Sequence, residues 1–156
     1  MSILVVGFLI GILLYYFLGV DLGKAVISED LNVKDLFVHN LTYFIIAVFG
    51  FLSLGILNVV MIFLNSAIIG FFIAHGIKSG QTIKVILALA PHSVFEIGAL
   101  LIASTFSLGY ISYLYNKFIK KREIKTKIYR DFVLVILLVL ILTLVAALIE
   151  KYVNLI

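Results

Sequence analysis

Long apolar runs without any charged side chain alternate along this chain with short segments that hold most of its charges. The runs without Asp, Glu, Lys or Arg are residues 1–20, 36–77, 97–116 and 132–149. Because a helix needs about 20 apolar residues to cross a bilayer, these runs predict membrane-spanning helices. The run 36–77 is long enough for two crossings, and it predicts a tight turn between Gly50 and Asn58.

The stretch 82–116 is too long for one crossing. As a single helix it would measure about 52 Å at about 1.5 Å per residue, against about 30 Å of hydrocarbon. Pro91 lies inside it, and proline interrupts the helical hydrogen-bond ladder but suits the first turn of a helix. The sequence therefore predicts a short re-entrant or interfacial helix at 82–90, followed by a spanning helix from Pro91 to Asn116.

The complete pattern predicts an all-α polytopic membrane protein, with five transmembrane helices plus the short helix in a single membrane domain over 1–156. Hydrophobic residues make up 64% of the chain and charged residues 13%, whereas soluble domains are about half apolar and about a quarter charged. The first helix, near residues 3–20, is expected to be retained rather than cleaved as a signal peptide, because no basic segment precedes it.

One basic segment sets the expected orientation in the cell membrane. It follows the fourth predicted span and holds seven of the twelve lysines and arginines. Because loops rich in these residues stay in the cytoplasm, we expect a cytoplasmic N-terminus and an external C-terminus. The segment is also a candidate contact for anionic lipid or a protein partner, and simple anchoring is the alternative. Its basic residues are Lys117, Lys120, Lys121, Arg122, Lys125, Lys127 and Arg130.

Polar side chains within the apolar runs mark candidate sites, because polar groups are costly in lipid. His92 and Glu96 are four residues apart and share a helix face, where they could form a hydrogen bond or share a proton. They predict either a proton or cation site beside a broken helix, or a contact that holds the short helix in place. If 82–90 is interfacial, Glu96 instead lies near the outer headgroups. The candidate polar site comprises Pro91, His92, Glu96, Asn58 and Asn65.

Small residues recur at spacings typical of close helix packing. Gly7 and Gly11 form a GxxxG pattern, which is common in membrane helices and indicates dimerisation only weakly. Asn58 and Asn65 lie about two turns apart, and they predict either hydrogen bonds between helices or a cavity lining. The candidate packing residues are Gly7, Gly11, Gly50, Gly55, Ser66, Gly70, Ala99, Ala103 and Ser107.

Nothing in the sequence predicts an enzyme. The chain has no cysteine, which excludes disulfides, thiolate ligands and a cysteine nucleophile. The GxSxG, HExxH and GxxxxGKS/T motifs are absent, and two ligand-type residues are too few for zinc, which takes about three to four. We therefore expect no catalysis, no cofactor and no metal site. A nucleic-acid partner is not expected either, because no long hydrophilic face remains.

The segment Pro91-His92-Ser93-Val94-Phe95-Glu96 resembles the Pro-His-Gly-x-x-Glu signature of the stage II sporulation protein M family. Ser93 occupies the usual glycine position, and Ser66 replaces the glycine that usually follows an upstream asparagine. The resemblance covers roughly residues 37 to 110. Upstream, the family pattern of asparagines and glycines is similar to Asn40, Gly50, Gly55, Asn65 and Gly70, in that order.

This resemblance implies a non-enzymatic membrane protein that acts as a scaffold or as a subunit of a membrane complex. The sporulation member of the family is understood to work with cell-wall hydrolases, and only the general role transfers. The alternative is a small oligomeric transporter or channel with a polar site at His92 and Glu96. The expected partners are the lipid bilayer and other membrane-complex proteins, and a second copy of the chain is a further candidate.

Overall fold

The computed structural model describes residues 2–19, 32–121 and 127–153. These residues form helices and short connections, so the predicted all-α fold is confirmed. A 3-10 turn, Phe49–Ser53, continues the second helix, and a π-helical turn, Tyr115–Ile119, continues the fourth. The α-helices are α1 Ser2–Leu18, α2 Val33–Val48, α3 Ile56–Lys78, α4 Thr82–Leu114 and α5 Ile128–Val153.

Four helical segments of the described chain are long and apolar enough to cross a membrane. The first helix, α1, has 17 residues, or about 26 Å at about 1.5 Å per residue, slightly less than the hydrocarbon thickness of about 30 Å. The fifth span therefore remains a prediction. The four segments are Val33–Ser53, Ile56–Lys78, Thr82–Ile119 and Ile128–Val153.

The tight turn predicted between Gly50 and Asn58 is confirmed. The backbone reverses at Leu54 and Gly55, which both adopt left-handed conformations with φ values of 54° and 83°. Glycine takes this conformation without steric cost, and its N–H donates to the Gly50 carbonyl at 3.1 Å. The long apolar run is thereby divided into α2 and α3.

The prediction that a new helix begins at Pro91 is wrong. α4 continues unbroken from Thr82 to Leu114, with Pro91 in its interior, so residues 82–90 are its first turns and not a separate helix. Proline removes the bond to the carbonyl four residues earlier and crowds that carbonyl, and contact with α3 supports these turns. A Cβ placed on Gly76 would lie 3.0 Å from the Val85 side chain. At about 50 Å, α4 must tilt or extend beyond the hydrocarbon.

The buried core lies where α4 contacts α2, α3 and α5. Phe44 and Val48 of α2, Leu100 of α4 and Val139 of α5 are all no more than 1% exposed. α1 contacts only α3 among the described elements. The bundle therefore has one central helix, α4, and one peripheral helix, α1.

Consecutive helices run in opposite directions. Gly7 and Tyr15 of α1 lie beside Ser66 and His75 of α3, respectively, so these two helices are parallel. Phe106 and Gly98 of α4 lie beside Phe132 and Leu142 of α5, so this pair is antiparallel. The start of α1, the α2–α3 turn and the basic segment consequently lie at one end of the bundle. The α3–α4 turn and the end of α5 lie at the other.

Candidate functional site

The first polar group in the bundle is centred on Asn58, whose side chain is 1% exposed. Its Nδ2 donates to the Ala47 carbonyl at 2.7 Å and to Ser104 Oγ at 3.1 Å. Its Oδ1 accepts a hydrogen bond from Ser107 Oγ at 3.2 Å. Both amide hydrogens and the amide oxygen are therefore used. We call these four residues the Asn58 network, and it joins α2, α3 and α4.

Small neighbours make room for the Asn58 network. A Cβ on Gly50 would collide with the Asn58 amide, and a Cβ on Gly55 would collide with the side chain of Leu108. Ala99 and Ala103 of α4 are fully buried beside the core. Close approach of helix backbones requires such residues, so these positions allow the α2–α3 turn to pack against α4.

The second polar group surrounds Glu96, which lies 14 residues after Thr82, or about 21 Å along α4. Its Oε1 accepts a hydrogen bond from Asn40 Nδ2 at 2.6 Å. The carboxyl group of Glu150, on α5, lies within electrostatic range of Glu96, and His39 lies within range of Glu150. We call Asn40, Glu96, Glu150 and His39 the carboxylate cluster. It joins α2, α4 and α5.

Two carboxyl groups in an apolar bundle repel each other when both are ionised, and lipid surroundings screen this repulsion poorly. Asn40 donates one hydrogen bond, which stabilises the Glu96 carboxylate but leaves the second carboxyl group without compensation from that amide. Tyr43 lies nearby, but its hydroxyl donates to the Met61 carbonyl at 2.9 Å. The cluster thus brings two interacting acidic groups, Glu96 and Glu150, into an otherwise apolar bundle.

The structure pairs Glu96 with Asn40, whereas the sequence suggested His92 as its partner. His92 is buried at 9% exposure, its Nδ1 has no hydrogen-bond partner among the described residues, and its ring lies beside the Ala88 carbonyl. His92 and Glu96 share a face of α4, but the Glu96 carboxyl group accepts its hydrogen bond from Asn40 on α2 instead. Pro91 is half-buried in α4.

Sequence reasoning did not place Glu150 or His39 in a site. Glu150 directly follows the apolar run 132–149, and His39 lies near the start of the run 36–77, positions typical of a membrane boundary. The only signal was that each is an ionisable group at the edge of an apolar run. Asn65 is half-buried and does not join the Asn58 network.

The GxxxG pattern of α1 packs against α3 of the same chain. A Cβ on Gly7 would collide with Ser66 Oγ, and a Cβ on Gly11 would collide with the Ala67 carbonyl. A Cβ on Gly70 would in turn collide with the backbone of Phe8. This face is therefore used within the chain and is covered by α3.

A buried contact missed by the sequence reasoning closes the other end of the α1–α3 pair. Tyr15 is 3% exposed, and its hydroxyl lies 3.2 Å from His75 Nδ1. The Lys78 ammonium group lies 5.6 Å from the centre of the Tyr15 ring. The C-terminal ends of α1 and α3 are therefore in contact with each other.

The basic segment is exposed wherever the structure describes it. Lys117 lies over the Tyr113 ring at 5.5 Å, and Lys120 lies over the Tyr115 ring at 5.3 Å. Arg130 forms an exposed ion pair with Asp131 at 3.2 Å. Lys121 and Lys127 are also exposed, whereas Arg122 and Lys125 lie outside the described residues.

No group of three or more His, Asp or Glu side chains that could hold a metal ion occurs within 2–19, 32–121 and 127–153. The side chains of His39, Glu96 and Glu150 in the carboxylate cluster are therefore not arranged as a metal-binding group.

This chain is similar to a known family of proteins over nearly its whole length. The family description "Stage II sporulation protein M" matches residues 1–154. The chain belongs to the stage II sporulation protein M family. The uncharacterized protein MJ0793 of Methanocaldococcus jannaschii is 27% identical over 137 residues, which cover 86% of this chain and 77% of that protein. No solved structure matches this chain.

Two parts of the stage II sporulation protein M resemblance meet in the carboxylate cluster. Asn40 is the upstream asparagine of that resemblance, and Glu96 is the glutamate that ends its signature. They are 56 residues apart in sequence and are joined by a 2.6 Å hydrogen bond. The signature thus lies inside α4, and its glutamate connects two helices of the bundle.

Proposed function

We propose that this protein is a non-enzymatic subunit or scaffold of a membrane complex. Membership of the stage II sporulation protein M family supports this role. The observation that carries the proposal is the bond between Asn40 and Glu96, because it commits the intramembrane acid to a contact between helices. The Asn58 network likewise uses its polar atoms internally. The polar residues hold the bundle, and the exposed surfaces are left for partners.

We propose that the basic segment contributes to the partner-binding surface and faces the cytoplasm. The support is the positive-inside pattern and the exposure of its described lysines. The natural absence of cysteine permits a direct test. A single cysteine at Lys121→Cys should be labelled by an impermeant maleimide only after permeabilisation of cells, and Ser79→Cys at the α3–α4 turn should be labelled in intact cells. The reverse pattern would overturn the orientation.

The scaffold role is tested by affinity purification of the tagged protein from its native membrane in mild detergent, followed by mass spectrometry. We expect a stoichiometric protein partner that is lost when the described basic residues of the segment are changed to glutamine. The matched control is Lys78→Gln with Lys84→Gln, which removes exposed charges at the opposite end. Recovery of the chain alone, or loss of the partner in both variants, would contradict the proposal.

A second candidate function is a small oligomeric transporter or channel, and the carboxylate cluster favours it. Glu96 and Glu150 come from different helices, so a proton or cation between them would lie within the bundle. This candidate predicts ion- or pH-dependent flux into proteoliposomes that Glu96→Gln abolishes. Flux equal to that of empty vesicles across a range of ions would eliminate it, while leaving the scaffold role intact.

A further inference from the structure

An open apolar groove of about 350 Å³ runs along the outer surface between α4 and α5. Four of its lining residues belong to α4 (Leu101, Ile102, Thr105 and Phe106), and Val135 belongs to α5. It lies on spanning segments, so the surrounding medium is lipid. An apolar lining of this kind is suited to bind a hydrocarbon chain.

The lining argues against a docked transmembrane helix. Helices in membranes approach closely where small residues line the contact, but this groove is lined mainly by large side chains. A helix with its side chains is about 10 Å or more across, whereas an acyl chain is far narrower. The shape and composition of the groove therefore favour a lipid tail.

Aromatic rings connect the groove to the basic end of the bundle. Phe106 stacks on Tyr110 at 6.2 Å between ring centres, and Tyr110 stacks on Tyr113 at 6.0 Å. The Lys117 ammonium group lies 5.5 Å above the Tyr113 ring. Phe106 and Lys117 are separated by about 16 Å of helix, comparable to the roughly 15 Å of hydrocarbon in one leaflet. A lipid tail in the groove would thus place its headgroup near Lys117.

The charge at that end is strongly positive. Residues 115–121 and 127–131 include five cations and one acid, Asp131, which is paired with Arg130. Lys117, Lys120 and Lys127 are exposed. Tyrosine is also the residue type that sits at headgroup level. An anionic phosphate group therefore matches both the charge and the depth of this end.

We propose that an anionic phospholipid binds at the α4–α5 surface, with an acyl chain in the groove and its phosphate at Lys117 and Lys120. The site has two separate parts, since the groove recognises hydrocarbon and the lysines recognise the headgroup charge. It is independent of the carboxylate cluster, which lies on the inner contacts of the bundle.

The test is native mass spectrometry of the purified full chain with phosphatidylglycerol or phosphatidylcholine of identical acyl chains. Wild type should retain phosphatidylglycerol preferentially. Lys117→Gln with Lys120→Gln should weaken that binding by roughly 30-fold, given the usual contribution of a lysine near an anionic headgroup, and should leave phosphatidylcholine unchanged. The matched control, Lys78→Gln with Lys84→Gln, should behave as wild type.

The groove is tested separately by Thr105→Phe, which fills it at an exposed position and so should not disturb folding. We expect loss of the bound lipid whatever its headgroup, while Thr42→Phe on the exposed face of α2 serves as the control. Equal retention of both lipids by wild type, an unchanged profile for Thr105→Phe, or a second copy of the chain in the groove would each overturn the proposal. Thr105→Phe should keep any protein partner, which distinguishes this proposal from the scaffold role.

Discussion

The Asn58 network and the carboxylate cluster both join three helices, but they differ in how completely their polar atoms are compensated. Asn58 uses both amide hydrogens and its oxygen, and none of its bonds involves a charge. In the carboxylate cluster, the Asn40 amide donates to Glu96 alone, whereas Glu150 interacts electrostatically with Glu96 and His39. Polar groups in the same bundle therefore have two roles. A group whose hydrogen-bonding atoms are all paired, such as the Asn58 network, stabilises the contacts between helices. A group with unpaired acidic atoms, such as the carboxylate cluster, can still bind or release a proton.

The largest loss of stability is expected for a substitution in the Asn58 network. Asn58→Leu removes three hydrogen bonds from a fully buried position, and we expect the free energy of unfolding to fall by about 2 to 4 kcal/mol. Thermal unfolding in mild detergent would measure it. Asn65→Leu, at a half-buried position outside the network, is the matched control and should change stability by less than about 0.5 kcal/mol. Equal losses of stability in the two variants would show that the Asn58 network does not stabilise the bundle more than a half-buried asparagine does.

An intermediate effect is expected in the carboxylate cluster. Asn40→Leu removes the donor that faces Glu96 and leaves an acidic acceptor unpaired, so we expect a loss of about 1 to 3 kcal/mol. Glu96→Gln keeps an oxygen that accepts from Asn40 and should therefore be far milder. The same unfolding assay compares the two variants. If Glu96→Gln were as destabilising as Asn40→Leu, the ionised carboxyl group itself would be structural.

The smallest change in stability is expected for Glu150, and it tests whether the two carboxyl groups of the cluster repel each other. Glu150→Gln removes one of two like charges, so we expect stability to stay the same or rise by less than about 1 kcal/mol. In a double-mutant cycle, Glu96→Gln and Glu150→Gln should not be additive, because either change alone relieves the repulsion. Additive losses would show that the two carboxyl groups do not interact, and the proton or cation site would be lost as an explanation.

The wrong prediction at Pro91 shows that rules based on a single helix do not predict where that helix ends. Proline and a length of about 50 Å both argue for a helix break. Yet α4 is continuous, since the segment before the proline packs on Gly76 of α3. Similarly, the i to i+4 spacing suggested His92 for Glu96, but the bonded partner is Asn40 on α2. Both errors came from contacts between different helices, which rules for a single helix do not include.

The amino-acid sequence alone predicted the all-α class and the turn between Gly50 and Asn58, and four of its five predicted spans correspond to long apolar helices of the structure. Lipid excludes charge and requires every backbone group to be bonded within its own helix, so these features are local properties of composition and spacing. Which polar residues meet depends on the tertiary structure. Asn40 and Glu96 are 56 residues apart, and Asn58 meets Ser104 across 46 residues. Such pairs depend on the order, direction and rotation of helices, which follow from packing small residues against neighbouring backbones.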